Sequence, residues 1–172
     1  MTTSMPSGTS HGIEATVPAR AEPLATIDPR LRPWVAFLRA HAAITRRLEG
    51  ELQDEQALSL ADYDALFQLA QAAGGRLRMN ELADSLLLTR SGVSRLVDRL
   101  ALDGYVVRAR CRTDARGAFA VLTDAGRQRL ESAKPTHLRG VVDHFLAGLP
   151  ETDREPFTRA LETILRRLGS EA

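Results

Sequence analysis

The residues with the clearest chemical potential in this chain are arginines. Seven of them (Arg90, Arg95, Arg99, Arg108, Arg110, Arg112 and Arg116) stand between Thr89 and Gly117, against Asp98, Asp103 and Asp114, a local charge of +4 in a chain of formal net charge +1. Clustered positive charge creates a field that the same charges dispersed would not, and the chemistry it serves is the binding of an anion. Arginine outnumbers lysine throughout, Lys134 being the sole lysine. Abundance therefore does not identify phosphate recognition; the spacing has to.

The spacing is helical. Thr89 is a good N-cap, and Val93, Leu96, Val97 and Leu100 recur at three- and four-residue intervals as a buried stripe, with Gly104 as the stop. Ser91, Arg95, Asp98 and Leu102 must then point the other way. Arg90, Ser91, Ser94 and Arg95 make up the exposed N-terminal half. Short hydroxyls let a backbone approach a duplex closely, a helix N-terminus favours phosphate, and an arginine can bind guanine O6 and N7 in the major groove with two hydrogen bonds. Arg99, on the flank, suits a backbone phosphate. A solvated polar face on an ordinary amphipathic helix would explain the same pattern, but it would leave the wing beyond Gly104 unexplained.

After Gly104 the period changes from helical to alternating. Tyr105–Arg110 and Ala118–Leu122 hold the β-branched and aromatic residues that strands favour, and the segment between them contains Asp114 and Gly117, so a β-hairpin wing is predicted. Arg112 and Arg116 lie in its loop. Arg116 is the candidate for a minor groove, where negative potential is strongest over narrow A·T tracts. Asp114 would be repelled by phosphate and is read instead as orienting an arginine or capping the turn.

The elements that must position these residues can be read outward. Residues 1–28 are rich in Thr, Ser, Pro, Gly and Ala without periodicity and are predicted to be a disordered tail. Residues 29–57 hold a long first helix through Trp34, Phe37, Leu38, His41, Thr45, Leu48 and Leu52, with Pro33 in its first turn. Residues 58–123 form the proposed reading lobe. Ser59 with Asp62 resembles a capping box opening a second helix, which buries Leu60, Tyr63, Leu66, Phe67 and Ala70 and ends at Gly74-Gly75. Asn80 is a candidate cap for a short third helix carrying Leu82, Ala83 and Leu86. Residues 124–172 follow Thr123, another N-cap, as a long helix bearing Pro135 and a last helix with Phe157, Leu161, Ile164, Leu165 and Leu168 on one stripe. The fold class expected is mainly α with a small β-hairpin wing, a winged helix-turn-helix.

Composition excludes other classes. The chain has 172 residues, 44% hydrophobic but only 5% aromatic, which suits one helical domain with appendages better than a sandwich or barrel. No apolar run approaches the ~18 residues of a membrane span, and the N-terminus lacks a basic segment followed by an apolar stretch, so a cytoplasmic protein is expected. One cysteine, Cys111, cannot form an intramolecular disulfide. There is no phosphate loop, nucleophile elbow or Ser-His-Asp grouping, so an enzyme is not expected, nor a cofactor. His137 and His144 would lie about 10 Å apart along one helix, too far to share a metal ion.

Four segments, in this order and spacing, are specific. They are Met79-Asn80-Glu81-Leu82-Ala83, the run from Thr89 to Leu100, Asp114-Ala115-Arg116-Gly117, and Leu122-Thr123-Asp124-Ala125-Gly126. Through them the chain from about Pro33 to Leu168 resembles the multiple-antibiotic-resistance-regulator (MarR) family of winged-helix transcription factors. The resemblance implies a homodimer joined through its first and last helices, a roughly palindromic double-stranded DNA operator, and release by a small ligand or by oxidation. Dimerisation also has a physical argument. One recognition helix reads only a few base pairs, and Trp34, Phe37, Phe157, Ile164 and Leu168 are more apolar surface than one helical pair would hide.

The resemblance further implies a small aromatic or phenolic effector between the dimerisation helices and the reading lobe. Trp34, His41, Tyr63 and Phe67 are the candidates to line that cleft, each also readable as ordinary core, and His41 as a hydrogen-bonded interior histidine. Cys111, flanked by Arg110 and Arg112, is a candidate redox switch, because nearby cations lower a thiol's pKa. The family's peroxide sensors carry their cysteine near the first helix, where this chain has none. Two other classes stay open: an architectural DNA binder without sequence preference, and a winged-helix protein-interaction module.

Overall fold

The computed structural model describes residues 28–110 and 118–169. The chain divides into two compact units, Met1–Leu38 and Arg39–Ala172. Helix α1 spans Arg32–Gln56, α2 Leu60–Gln71, strand β1 Arg76–Arg78, α3 Met79–Ser85, α4 Arg90–Leu102, β2 Val106–Arg110, β3 Ala118–Leu122, α5 Asp124–His144 and α6 Glu151–Arg167. This is the winged helix-turn-helix expected, mainly helical with one small antiparallel sheet.

In the first unit the described residues are the start of α1, where the rings of Trp34 and Phe37 stack with centroids 6.2 Å apart. Both are exposed, as are Leu31 and Leu38.

In the second unit three hydroxyl caps set the helix starts. Ser59 accepts from the Asp62 N–H at 3.1 Å, Thr89 from Gly92 at 3.1 Å, and Thr123 from Gly126 at 3.0 Å. Each satisfies an amide that a helix start would otherwise leave without a partner, typically about 1 kcal/mol. Asn80 is not a cap. Helix α3 begins one residue earlier, and the Arg78 N–H donates to Glu81 Oε2 at 2.8 Å across its first turn. The C-terminus of α4 passes through Asp103 to Gly104 at φ +77°, where a side chain would be strained.

One core joins these pieces. Leu52, Leu66, Leu69, Leu82, Val93, Val97, Leu100 and Val106 are essentially solvent-free. Fully burying each is worth about 1.5–3 kcal/mol relative to leaving it exposed. The predicted stripe of α4 (Val93, Leu96, Val97 and Leu100) is buried in full, and Leu102 on its opposite face is 89% exposed.

The sheet has the order β1-β3-β2. Val106 pairs with Leu122 and Arg110 with Ala118, so the hairpin register is the one expected, while Arg76 to Arg78 add a third strand on the far side of β3. The Arg76 and Arg78 guanidiniums lie 5.4 and 5.1 Å from the Phe119 ring centroid and so help hold that strand. Where β2 begins, a side chain on Gly126 would meet the Tyr105 carbonyl oxygen at 2.1 Å, so only glycine lets α5 leave the sheet this closely.

Helix α5 runs through Pro135 without interruption and is tied to α1 by polar contacts. The Gln56 amide donates to Thr136 Oγ1 and Thr136 donates to Glu55, both at 3.1 Å. Helix α6 buries none of its residues; Ile164 and Leu168 are 53% and 73% exposed.

Candidate nucleic-acid interface

Helix α4 presents its N-terminal turn to solvent. Thr89 Oγ1 lies 3.2 Å from Ser91 Oγ, so the cap and the first exposed hydroxyl share a proton. Arg90, Ser91 and Arg95 are exposed, and neither Arg90 nor Arg95 has a hydrogen-bond or ion-pair partner among the described residues.

The structure sorts the arginine cluster by partner. Arg108 on β2 reaches α4, with its Nε 3.0 Å from Asp98 Oδ1 and its Nη2 donating to Ser94 Oγ at 2.8 Å and the Ser94 carbonyl at 3.1 Å. It fastens the wing to the recognition helix. Ser94 is therefore half-buried and already engaged, a correction to the expectation that it belongs to the open face. Arg99 donates to Asp62 Oδ1 at 2.6 Å, and Asp62 in turn accepts from Ser59 Oγ at 2.6 Å. Arg99 is half exposed and so stands at the edge of the face, held to α2. Two of the described arginines are thus neutralised structural ties, and two are unpaired and aimed outward.

Arg112, Asp114 and Arg116, and with them Cys111, lie outside the described residues.

Of the four candidate ligand-lining residues, Trp34 belongs to the first unit and His41, Tyr63 and Phe67 to the second. Tyr63 is core, 3% exposed, stacked at 4.2 Å on His137 and at 6.4 Å on Phe67, which is 37% exposed. His41 is exposed on α1, which corrects the interior-histidine expectation. A cleft of about 580 Å³ does exist in the second unit, lined by Thr45, Arg46 and Glu49 of α1, Leu60 and Asp64 of α2, and Leu86 and Leu88 of the α3–α4 turn. His41, Tyr63 and Phe67 do not border it. Its charged lining, Arg46, Glu49 and Asp64, is brought together from α1 and α2. That pairing is non-local, and nothing short-range in the sequence signals it.

Burial acts on titratable groups of α2 and α5, raising the Tyr63 phenol above its ordinary value. It holds the Asp64 carboxyl above the usual carboxylate range and the His137 imidazole below its ordinary value, and His137 Nδ1 has no hydrogen-bond partner. Among the described residues no three His, Cys, Asp or Glu side chains converge as a metal site. No helix there is long and apolar enough to cross a membrane.

A capped, outward-facing recognition helix clamped to a β-hairpin defines a winged helix-turn-helix of the DNA-reading type. Comparison with known proteins narrows the class. The MarR family model matches residues 58–117. The crystal structure of AbsC, a MarR family transcriptional regulator from Streptomyces coelicolor, is similar at 31% identity and a TM-score of 0.75, over 84% of this chain and 97% of that one. Sco3205 from the same organism, a MarR family regulator solved in complex with DNA, is 29% identical with a TM-score of 0.75, over 83% and 90% of the two chains. The repressor YetL of Bacillus subtilis is 29% identical over 66% of this chain and 68% of its own length. The chain belongs to the MarR family and is a transcriptional regulator rather than an enzyme.

Proposed function

We propose that the chain acts as a ligand-responsive homodimer that binds a roughly palindromic operator and represses transcription from it. The observation that carries this is the sorting of the arginines. Arg99 and Arg108 are bound by Asp62 and Asp98, while Arg90 and Arg95, at the open end of the same helix, have no partner among the described residues. Arg95 is positioned for guanine, and Arg90 and Ser91 for phosphate at the helix N-terminus. Thr89 sets the angle of approach, and Ser94 acts indirectly by holding Arg108. Arg112 and Arg116 supply the wing's contacts, and Asp114 orients them.

Two copies place their α4 helices in successive major grooves, about 34–36 Å apart. The exposed apolar residues of α1 and α6 supply the surfaces that pair them. A DNA-bound relative and a relative named as a repressor support this reading. A small effector weakens operator binding by binding better to a dimer whose two helices are wrongly spaced.

Mobility shifts at two salt concentrations, on DNA upstream of the protein's own gene and on a scrambled duplex, test it. Preference for the upstream DNA is expected. Equal affinity for both with a steep salt slope would mean an architectural binder, and no binding at low salt would mean a protein-interaction module.

A further inference from the structure

We infer that Leu87, in the turn between α3 and α4, is a specificity-determining residue that reads thymine, its side chain packing on the 5-methyl group of that base in the major groove that α4 enters. This rests on the operator-binding reading above.

The conformation of the turn has a local cause. Helix α3 closes at Leu86, and the chain then turns left-handed at Leu87, with φ +53°. The Leu87 N–H donates to the Asp84 carbonyl at 3.3 Å and the Leu88 N–H to the Ala83 carbonyl at 3.0 Å. Such bonds satisfy carbonyls that a helix end would leave without partners, and the left-handed residue that permits them is usually glycine. Helices α4 and α6 pass through Gly104 at φ +77° and Gly169 at φ +74°. Helix α3 instead uses a leucine, for which the same conformation is costly. Burial does not offset that cost. Leu87 is 93% exposed, whereas Leu86 and Leu88 on either side of it line the cleft beside α2. A single exposed leucine is ordinary on a protein surface, but a left-handed one that buries almost nothing points to a role outside the fold.

Its position says where that role lies. Leu87 precedes the Thr89 cap by two residues, a span of at most about 7 Å, and Thr89, Arg90, Ser91 and Arg95 form the exposed end of α4. Gly92 keeps the turn close to that end, since a side chain on it would stand 3.1 Å from Thr89 Oγ1 and 3.7 Å from Leu88 Cβ. Leu87 therefore adds one apolar group to the margin of a polar and cationic reading face. Among the groups that base edges display in the major groove, the thymine methyl alone is apolar. The hydrogen-bonding groups of the other edges, and the phosphates, would lose hydration against a leucine and gain no partner.

Uracil interference tests this with the full chain. DNA upstream of the protein's own gene, carrying uracil at random in place of thymine, is separated into bound and free fractions; positions depleted from the bound fraction are those whose methyl group is needed. The wild type is expected to need thymines at matching positions of both half-sites, and Leu87→Gly to lose one such position from each. Affinity of Leu87→Gly for the unsubstituted DNA should fall about four- to sixteenfold, the factor that burial of one or two methyls carries. Its circular dichroism should be unchanged and its melting temperature no lower than the wild type, because glycine accepts the left-handed turn. Leu87→Asn, which also tolerates that conformation with a stiffer backbone, should lose the same positions. An unchanged thymine pattern in both variants, or unchanged affinity, would overturn the inference. So would a lower melting temperature in both, which would make Leu87 part of the fold, or an altered oligomeric state by sedimentation, which would make it a subunit contact. A wild type that binds the upstream DNA no better than a scrambled duplex would instead defeat the operator reading, whatever Leu87 does.

Discussion

Arg99 of α4 and Asp62 of α2 meet at 2.6 Å although 37 residues separate them, and Asp62 is 8% exposed. The recognition helix is thereby braced against the helix that Ser59 starts. A carboxylate this enclosed depends on both its donors, because losing one leaves buried charge uncompensated. Asp62→Ala is expected to destabilise the fold by about 1–3 kcal/mol. In a double-mutant cycle with Arg99→Ala, the two changes should be non-additive by about 0.5–3 kcal/mol, measured by urea unfolding. Additive effects would show that the brace contributes nothing to the fold.

Arg95 should behave differently from Arg99. With no partner among the described residues, Arg95→Ala has little to destabilise, so its melting temperature should match the wild type. Its operator affinity should fall by about 1–3 kcal/mol with relaxed preference at one position of each half-site. Arg99→Ala should weaken all sequences alike. Fluorescence anisotropy on the operator and on single-base variants distinguishes the two, and an Arg95→Ala protein with unchanged preference would place base reading elsewhere.

What was legible in the sequence was what is local. Thr89, Ser59 and Thr123 cap their helices through amides three residues away, and the stripe of α4 is a matter of 3.6-residue periodicity. The family motifs span the same short ranges. What was not legible depends on distant pairing. Strand β1 is three residues long and gains its partners from β3, more than forty positions later. Arg108 looked like one more free cation until β2 set it against Asp98 and Ser94. The cleft in the second unit likewise draws Arg46 and Glu49 from α1, Asp64 from α2 and Leu86 and Leu88 from the α3–α4 turn, with no aromatic residue to mark it in the sequence.

His137 stacks on Tyr63 and keeps a buried Nδ1 without a partner. Burial depresses its proton affinity in the folded chain below the ordinary histidine value of 6.5. Well above that pH both folded and unfolded forms are neutral, and the group adds no pH dependence. As pH falls through about 6.5 the unfolded chain takes up the proton first, so stability declines and levels off once the folded form also protonates. His137→Phe keeps an aromatic ring against Tyr63 and removes the titration. Its melting temperature relative to wild type should therefore rise progressively from pH 8 to pH 5, and a constant difference would show that His137 is not the group responsible.

Helix α6 is amphipathic yet has no buried residue, with Ile164, Leu165 and Leu168 exposed along one stripe. Helices in proteins owe most of their stability to packing an apolar face, and beyond the contact of Phe157 with Phe145 this stripe is open, so a surface of this kind argues for a covering partner. If that partner is a second copy, Ile164→Glu with Leu168→Glu should give a monomer by sedimentation while leaving the buried core around Leu66 and Val97 intact, because neither residue contributes to it. Operator affinity should fall by orders of magnitude, since each monomer then binds one half-site without the effective concentration that its tethered partner provides. A variant that remains dimeric would move the interface away from α6. A monomer with undiminished affinity would show that paired half-sites are not what the protein reads.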